Sequence, residues 1–149
     1  MKTNTIPYRS ALVCAAIVGA LFAVPIGAGA QLTQPAKQLF GTMNEWKISL
    51  SPTRLSSGKT RLTVRNKGKV VHEVIVIRTD LAGTKLPMLK GQDRFDEKAP
   101  ALTIVGEIGD LKVGRSDTKE FDLKPGHYVF ACNLAGHYRD GMYTELTVK

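Results

Sequence analysis

Gly126-His-Tyr-Val-Phe-Ala-Cys132-Asn-Leu-Ala-Gly-His137-Tyr-Arg-Asp-Gly-Met142-Tyr-Thr-Glu-Leu-Thr-Val148 is the stretch that decides the fold. Two strand-like runs, Gly126 to Ala131 and Tyr143 to Lys149, flank a loop that carries a cysteine, a histidine and a methionine. Four residues lie between each of these and the next. Alternation places Tyr128, Phe130 and Cys132 on one face of the first run. It places Met142, Thr144, Leu146 and Val148 on one side of the second. Thiolate, imidazole and thioether are donors that suit copper, and two histidines, one cysteine and a weak axial methionine form one of its recurring sites. The loop lacks only the second histidine.

Working back along the chain, His72 is the strong candidate for that place. It opens Val70 to Arg78, a run dense in valine and isoleucine that reads as a central strand. His72, Val74 and Val76 share one face, and Glu73, Ile75 and Ile77 the other. A lone histidine on an apolar face is ordinarily a satisfied core residue, but the loop downstream makes a ligand of it. A site shared by His72 and the loop would tie the two sheets of a sandwich together. His127 stands five residues before Cys132, an odd separation in a strand, and so faces away. Met43 and Met88 have no such placement and read as packing or surface residues. Met142 has core filler as its plain alternative.

The other segments fit the same architecture. Glu45 to Ser51 alternates, with Trp46, Ile48 and Leu50 on one side. Thr60 to Asn66, Leu102 to Ile108 and Asp117 to Leu123 are further strands, separated by turn signals such as Asn66-Lys67-Gly68 and Lys124-Pro125-Gly126. Asp80 to Ala101 holds two glycines, two prolines and many charges, and reads as a long loop with at most one helical turn. Seven or eight short strands and no long helical period predict an all-β, Greek-key β-sandwich.

The N-terminus reads differently. Lys2 and Arg9 precede an almost wholly apolar run, Ala11 to Ile26, and Ala28-Gly29-Ala30 fits a small-residue cleavage site. Residues 1–30 are therefore expected to be a signal peptide, cleaved after Ala30, which directs the chain to the periplasm or outside the cell. The apolar run is shorter than a membrane span of ~20 residues. Residues 31–44 read as a polar arm with a turn near Leu39-Phe40, and 45–149 as the domain. Losing Lys2 and Arg9 lowers the formal charge from +8 to +6. Cys14 leaves with the same segment, so Cys132 has no partner for an internal disulfide. The basic residues are scattered without interleaved aromatics, which argues against nucleic-acid binding.

The strand bearing His72, the run Pro125-Gly126-x-Tyr128-x-Phe130-x-Cys132 and the Cys-x₄-His-x₄-Met loop together resemble the cupredoxins, the blue-copper electron-transfer family. The loop spacing is similar to that of its rusticyanin and auracyanin branches. The resemblance implies a cupredoxin-like domain holding one type 1 copper. His72, Cys132 and His137 would be the equatorial ligands and Met142 the weak axial one. It implies a monomeric carrier of single electrons that meets its partner through the edge of His137, near Leu134, Ala135 and Leu86 to Met88. The charge favours an acidic cytochrome or oxidase as that partner. Glu73 stands where many of the family have an asparagine, and the amide of Asn133 is expected to donate to its carboxylate.

Other classes remain beside this one. A copper carrier or buffer would use the same four residues. A copper enzyme is disfavoured, because Cys132 is followed by Asn133 rather than histidine and the chain has only three histidines. Zinc would take cysteine and histidine, with methionine an untypical ligand. A metal-free immunoglobulin-like sandwich is the plainest reading.

Overall fold

Val74-Ile-Val-Ile77 is apolar on both sides of its strand, and such a run needs cover on both faces of its sheet. The computed structural model, which describes residues 34–149, supplies that cover. Nine strands are found among the described residues: β1 (Lys37–Asn44), β2 (Lys47–Ser51), β3 (Arg54–Leu55), β4 (Gly58–Asn66), β5 (His72–Arg78), β6 (Thr103–Leu111), β7 (Ser116–Leu123), β8 (Gly126–Ala131) and β9 (Tyr143–Val148). They form two sheets, in the order β2-β1-β4-β7 and β3-β9-β8-β5-β6. Pairing is antiparallel except between β1 and β4 and between β3 and β9. The expected β-sandwich is the observed fold. The proposed signal peptide, residues 1–30, lies outside the described residues.

The main core fills the space between the sheets. Leu39, Met43, Ile48, Leu62 and Val64 meet Val74, Val76, Tyr128, Phe130, Leu146 and Val148 there. The outer face of the five-stranded sheet carries a second cluster. Ile75, Ile77, Val129 and Ala131 are covered by Leu86, Phe95, Ala99 and Leu102 from the 80–101 segment, and by Tyr138. That segment was expected as a loop with at most one helical turn; it contains one 3₁₀ turn, Gly83–Lys85, and an isolated bridge between Met88 and Phe95.

One boundary differs from expectation. Residues 31–44 were read as an arm with a turn at Leu39-Phe40, yet Lys37–Asn44 is strand β1, inside its sheet between β2 and β4. Leu39 and Met43 are fully buried, and Gly41 between them lies against Val64. The alternation was masked because the middle inward position is a glycine, without a side chain to mark it. The compact unit runs from Gln34 to Lys149.

Phe95 has no exposed surface and sits at the centre of the outer cluster. Phe95→Ala should lower the unfolding free energy by about 3–5 kcal/mol, read by urea denaturation. Limited proteolysis should then cut first within 80–101. An unchanged midpoint would mean that the segment is not tied to the sheet.

Candidate metal centre

β5 starts at His72, and the turn before it is fixed by a neighbouring side chain. Asn66, fully buried, donates from Nδ2 to the carbonyls of Val70 (2.7 Å) and Leu111 (2.8 Å), and its Oδ1 accepts the Gly68 N–H (2.8 Å). Every hydrogen-bonding group of that amide except one lone pair is used. Gly68 leaves room that a larger residue would take from the site. A Cβ there would stand 2.5 Å from Glu45 Oε1 and 2.9 Å from His72 Nε2. Through the gap it leaves, Glu45 Oε1 accepts the N–H groups of Lys69 (2.6 Å) and Val70 (3.0 Å) and reaches His72 Nε2 at 3.3 Å. The carboxylate assigns the Nε2 proton, so the lone pair of His72 is on Nδ1.

That Nδ1 points to the loop. It lies 3.3 Å from Nδ1 of His137, which is in turn 3.2 Å from Sγ of Cys132. The three donor atoms all lie within 4.8 Å of one another. Bonds of about 2.0–2.3 Å to a shared ion need donors that are neighbours on this scale. His72 and Cys132 are fully buried and His137 is half-buried. Soft sulfur and two imidazoles in a buried cluster fit copper or zinc, and the methionine favours copper.

The loop is shaped by its own backbone. The Cys132 N–H donates to the Met142 carbonyl and the Met142 N–H to the His137 carbonyl, both at 3.0 Å. Gly136 and Gly141 take φ of 87° and 101°, in the left-handed region open to glycine. The Met142 side chain is fully buried in the same apolar cluster as Cys132. His127 faces elsewhere, with Nδ1 2.8 Å from the Thr79 carbonyl and Nε2 3.4 Å from Glu145. Met43 is core and Met88 is exposed.

Three expectations need correction. Asn133 does meet Glu73, but through its backbone: its N–H donates to Glu73 Oε1 at 2.9 Å. Its amide donates instead to Glu97 Oε1 (2.8 Å) and the Phe95 carbonyl (3.1 Å), and its Oδ1 accepts the Phe95 N–H (2.8 Å). The side chain therefore clamps the 80–101 segment. Leu86, placed on the surface by the sequence reading, is buried, with its N–H on the Tyr138 hydroxyl. Nor do the donors tie the two sheets together. His72, Cys132 and His137 all belong to the five-stranded sheet and its loop, while the other sheet sends Glu45 and Trp46 from the β1–β2 turn.

Glu45, Asn66, Gly68 and Trp46 were not singled out as site residues from the sequence. The Asn66-Lys67-Gly68 turn signal marked the place of two of them without revealing their partners. Trp46 was read as an inward strand residue. β2 begins one residue later, so the indole sits in the turn and packs on His137 with ring centroids 4.6 Å apart.

Charge follows burial. Burial lowers His72 below its ordinary value of 6.5, although Glu45 opposes this. Burial also lowers His137, helped by the neighbouring His72. Glu45 is held down to about 2, chiefly by the Lys69 N–H. Burial raises Cys132 and Glu73. At neutral pH the metal-free cluster is thus two neutral imidazoles and a thiol, with a proton to lose from sulfur before it can ligate.

No protein-family model matches the chain, and no curated protein does. Solved structures do. An auracyanin from Roseiflexus castenholzii is 19% identical, with 78% of this chain and 99% of that one covered at a TM-score of 0.55. Rusticyanin from Thiobacillus ferrooxidans is 16% identical, with 77% and 79% covered at 0.54. An azurin from Methylomonas sp. strain J is 11% identical, with 77% and 99% covered at 0.51.

The lowered imidazoles give a pH dependence. Below 6.5 the unfolded chain takes up protons that folded His72 and His137 refuse, so folding stability of the metal-free protein falls as pH drops from 6.5 toward their lowered values. Raised Glu73 works in the opposite sense, one group against two. Urea midpoints of metal-free protein on either side of pH 6.5 should show the loss, and histidine ring-proton titration should place both imidazoles below it. Titration of either at or above 6.5 would refute the burial argument. With its sandwich, its loop and these structural likenesses, the chain has the cupredoxin fold.

Proposed function

We propose that His72, Cys132, His137 and Met142 hold one copper ion and that the chain is an exported carrier of single electrons. The observation that carries this reading is the meeting of Nδ1, Sγ and Nδ1 within 4.8 Å in a buried cluster. Likeness of fold supports it, since a rusticyanin among the neighbours is described as a copper protein and an auracyanin was solved in a dithionite-reduced form. When bound, copper supplies the one-electron couple between its cupric and cuprous states.

The residues do the remaining work. Glu45 holds His72 in the tautomer that presents Nδ1. The Gly68 gap, the Asn66 clamp and the Met142-to-His137 backbone bond fix donors before any ion arrives. Such pre-organisation limits what must move when charge changes. Burial keeps water from the sulfur, and binding releases the Cys132 proton. The alternative reading, a copper carrier, is served less well by this arrangement. Two of the three converging donors are fully buried, which hinders handing an ion to another protein. A positive protein of this kind suits an acidic cytochrome or oxidase.

Adding Cu(II) to the purified protein should produce an intense visible thiolate-to-copper band, absent in Cys132→Ser. A wild-type protein without that band would end the proposal. In the loaded protein Glu45→Gln and Glu73→Gln each remove a negative charge that favours the cupric state. Both should raise the reduction potential, Glu45→Gln more because its oxygen touches His72 directly. Voltammetry reads this, and a fall in either variant would contradict the electrostatics.

A further inference from the structure

Exposed large apolar side chains are few among the described residues, and three of them stand on the segments that frame the His72–His137 pair. Trp46 is 40% exposed, Val70 42% and Val71 39%. Trp46 is also the only tryptophan of the chain. Its ring stacks at a tilt on His137 at 4.6 Å and meets His72 edge-on at 6.2 Å. The turn lies close to the ligand loop: a Cβ on Gly141 would stand 4.0 Å from the Trp46 carbonyl. Val70 is fixed to the same turn, its N–H donated to Glu45, the residue before Trp46. Scattered exposed apolar residues are ordinary, but a cluster over a functional centre marks a contact surface.

The rim is positive. Lys47, Lys67 and Lys69 are exposed and interleave with these apolar residues in sequence. Among the acids here, Glu45 turns its Oε1 in to two N–H groups and His72, and Asp140 lies near His137. An apolar centre within a lysine rim selects a partner of opposite character.

We propose that Trp46, flanked by Val70 and Val71 and rimmed by Lys47, Lys67 and Lys69, is the docking face for an acidic one-electron redox protein, and that the indole is the contact through which the electron reaches His137. This rests on the copper reading above. It differs from a face centred on Leu134 and Ala135 in having at its centre the indole packed on His137. With copper held by these residues, one electron would pass from the partner's reduced centre to the cupric ion, which would become cuprous while the partner is oxidised by one electron; no bond would be made or broken and no proton moved. The indole itself is neither oxidised nor reduced.

A plant-type ferredoxin, small and acidic, is a suitable probe. With metal-free, isotope-labelled protein and oxidised ferredoxin, the single indole N–H signal and the Val70 and Val71 amides should shift or broaden first. Added salt should reverse the effect, because the attraction is screened. In copper-loaded protein, Trp46→Ala should slow reduction by reduced ferredoxin by about tenfold or more, with the thiolate-to-copper band unchanged. Trp46→Phe should recover part of the rate and guards against a folding defect. Ala135→Glu should leave the rate nearly unchanged. Signal changes centred on Leu134 and Ala135, or a rate that responds to Ala135→Glu and not to Trp46→Ala, would overturn the proposal while leaving the copper reading intact. Failure of the wild-type protein to form the band would sink the copper reading instead, and the metal-free mapping would still decide the docking face.

Discussion

One carboxylate oxygen holds the metal-site end of the molecule together. Glu45 Oε1 serves two backbone N–H groups and the Nε2 of a fully buried imidazole. An unsatisfied buried donor costs roughly 1–3 kcal/mol, and Nε2 of the fully buried His72 is the donor that would be left so without this oxygen. The same contact also sets chemistry, because holding the Nε2 proton leaves Nδ1 free to face His137 and Cys132. Gly68 is the steric condition for it, since any side chain there would collide with both partners. Glu45 rides on the β1–β2 turn, so a site whose converging donors all belong to one sheet depends on the other sheet for its orientation.

The ligand loop and the long 80–101 segment depend on each other in a similar way. Ordering backbone costs about 1–2 kcal/mol per residue, and a segment with one 3₁₀ turn gains little from regular hydrogen bonding. Burial of Leu86, Phe95 and Leu102 on the outer face of the sheet, each worth about 1.5–3 kcal/mol, supplies part of the compensation. The ligand loop supplies more. Tyr138 donates to the Gly83 carbonyl at 2.6 Å and accepts from Leu86, the Gly136 N–H donates to the Asp93 carbonyl at 2.8 Å, and the Asn133 amide brackets Phe95. Loosening either segment would therefore be felt at His137.

Much of this was legible because it was periodic. The alternation around Val74 and Tyr128 and the odd offset of His127 follow from strand geometry, while the loop spacing from Cys132 through His137 to Met142 was read from donor chemistry and the family resemblance. They placed three donors together and one histidine apart. β1 was lost where Gly41 interrupts the inward row, and β2 was started two residues early, which put Glu45 and Trp46 on the wrong side of a boundary. Glu45 and Asn66 were illegible for a different reason. Their partners are backbone groups and a ligand brought close only by the crossing of two sheets, and no local pattern encodes that. Asn133 shows how such readings go half right: its pairing with Glu73 was foreseen, but the backbone made it, freeing the amide for another task.

Under the proposed function, the placing of Trp46 reconciles two demands on the buried cluster. The sulfur and imidazoles gain from being kept dry, because water would compete for the donors and solvate changing charge. A protein partner, however, must come near. A solvent-open imidazole edge meets the second demand at the expense of the first. An indole stacked on His137 meets both: it removes water from one face of the ligand while offering a wide, polarizable surface of its own. The neighbouring lysines Lys47, Lys67 and Lys69 are exposed, and Glu45 turns its Oε1 toward His72. Attraction of an acidic partner can therefore be tuned at the rim without placing positive charge directly against His72 or His137.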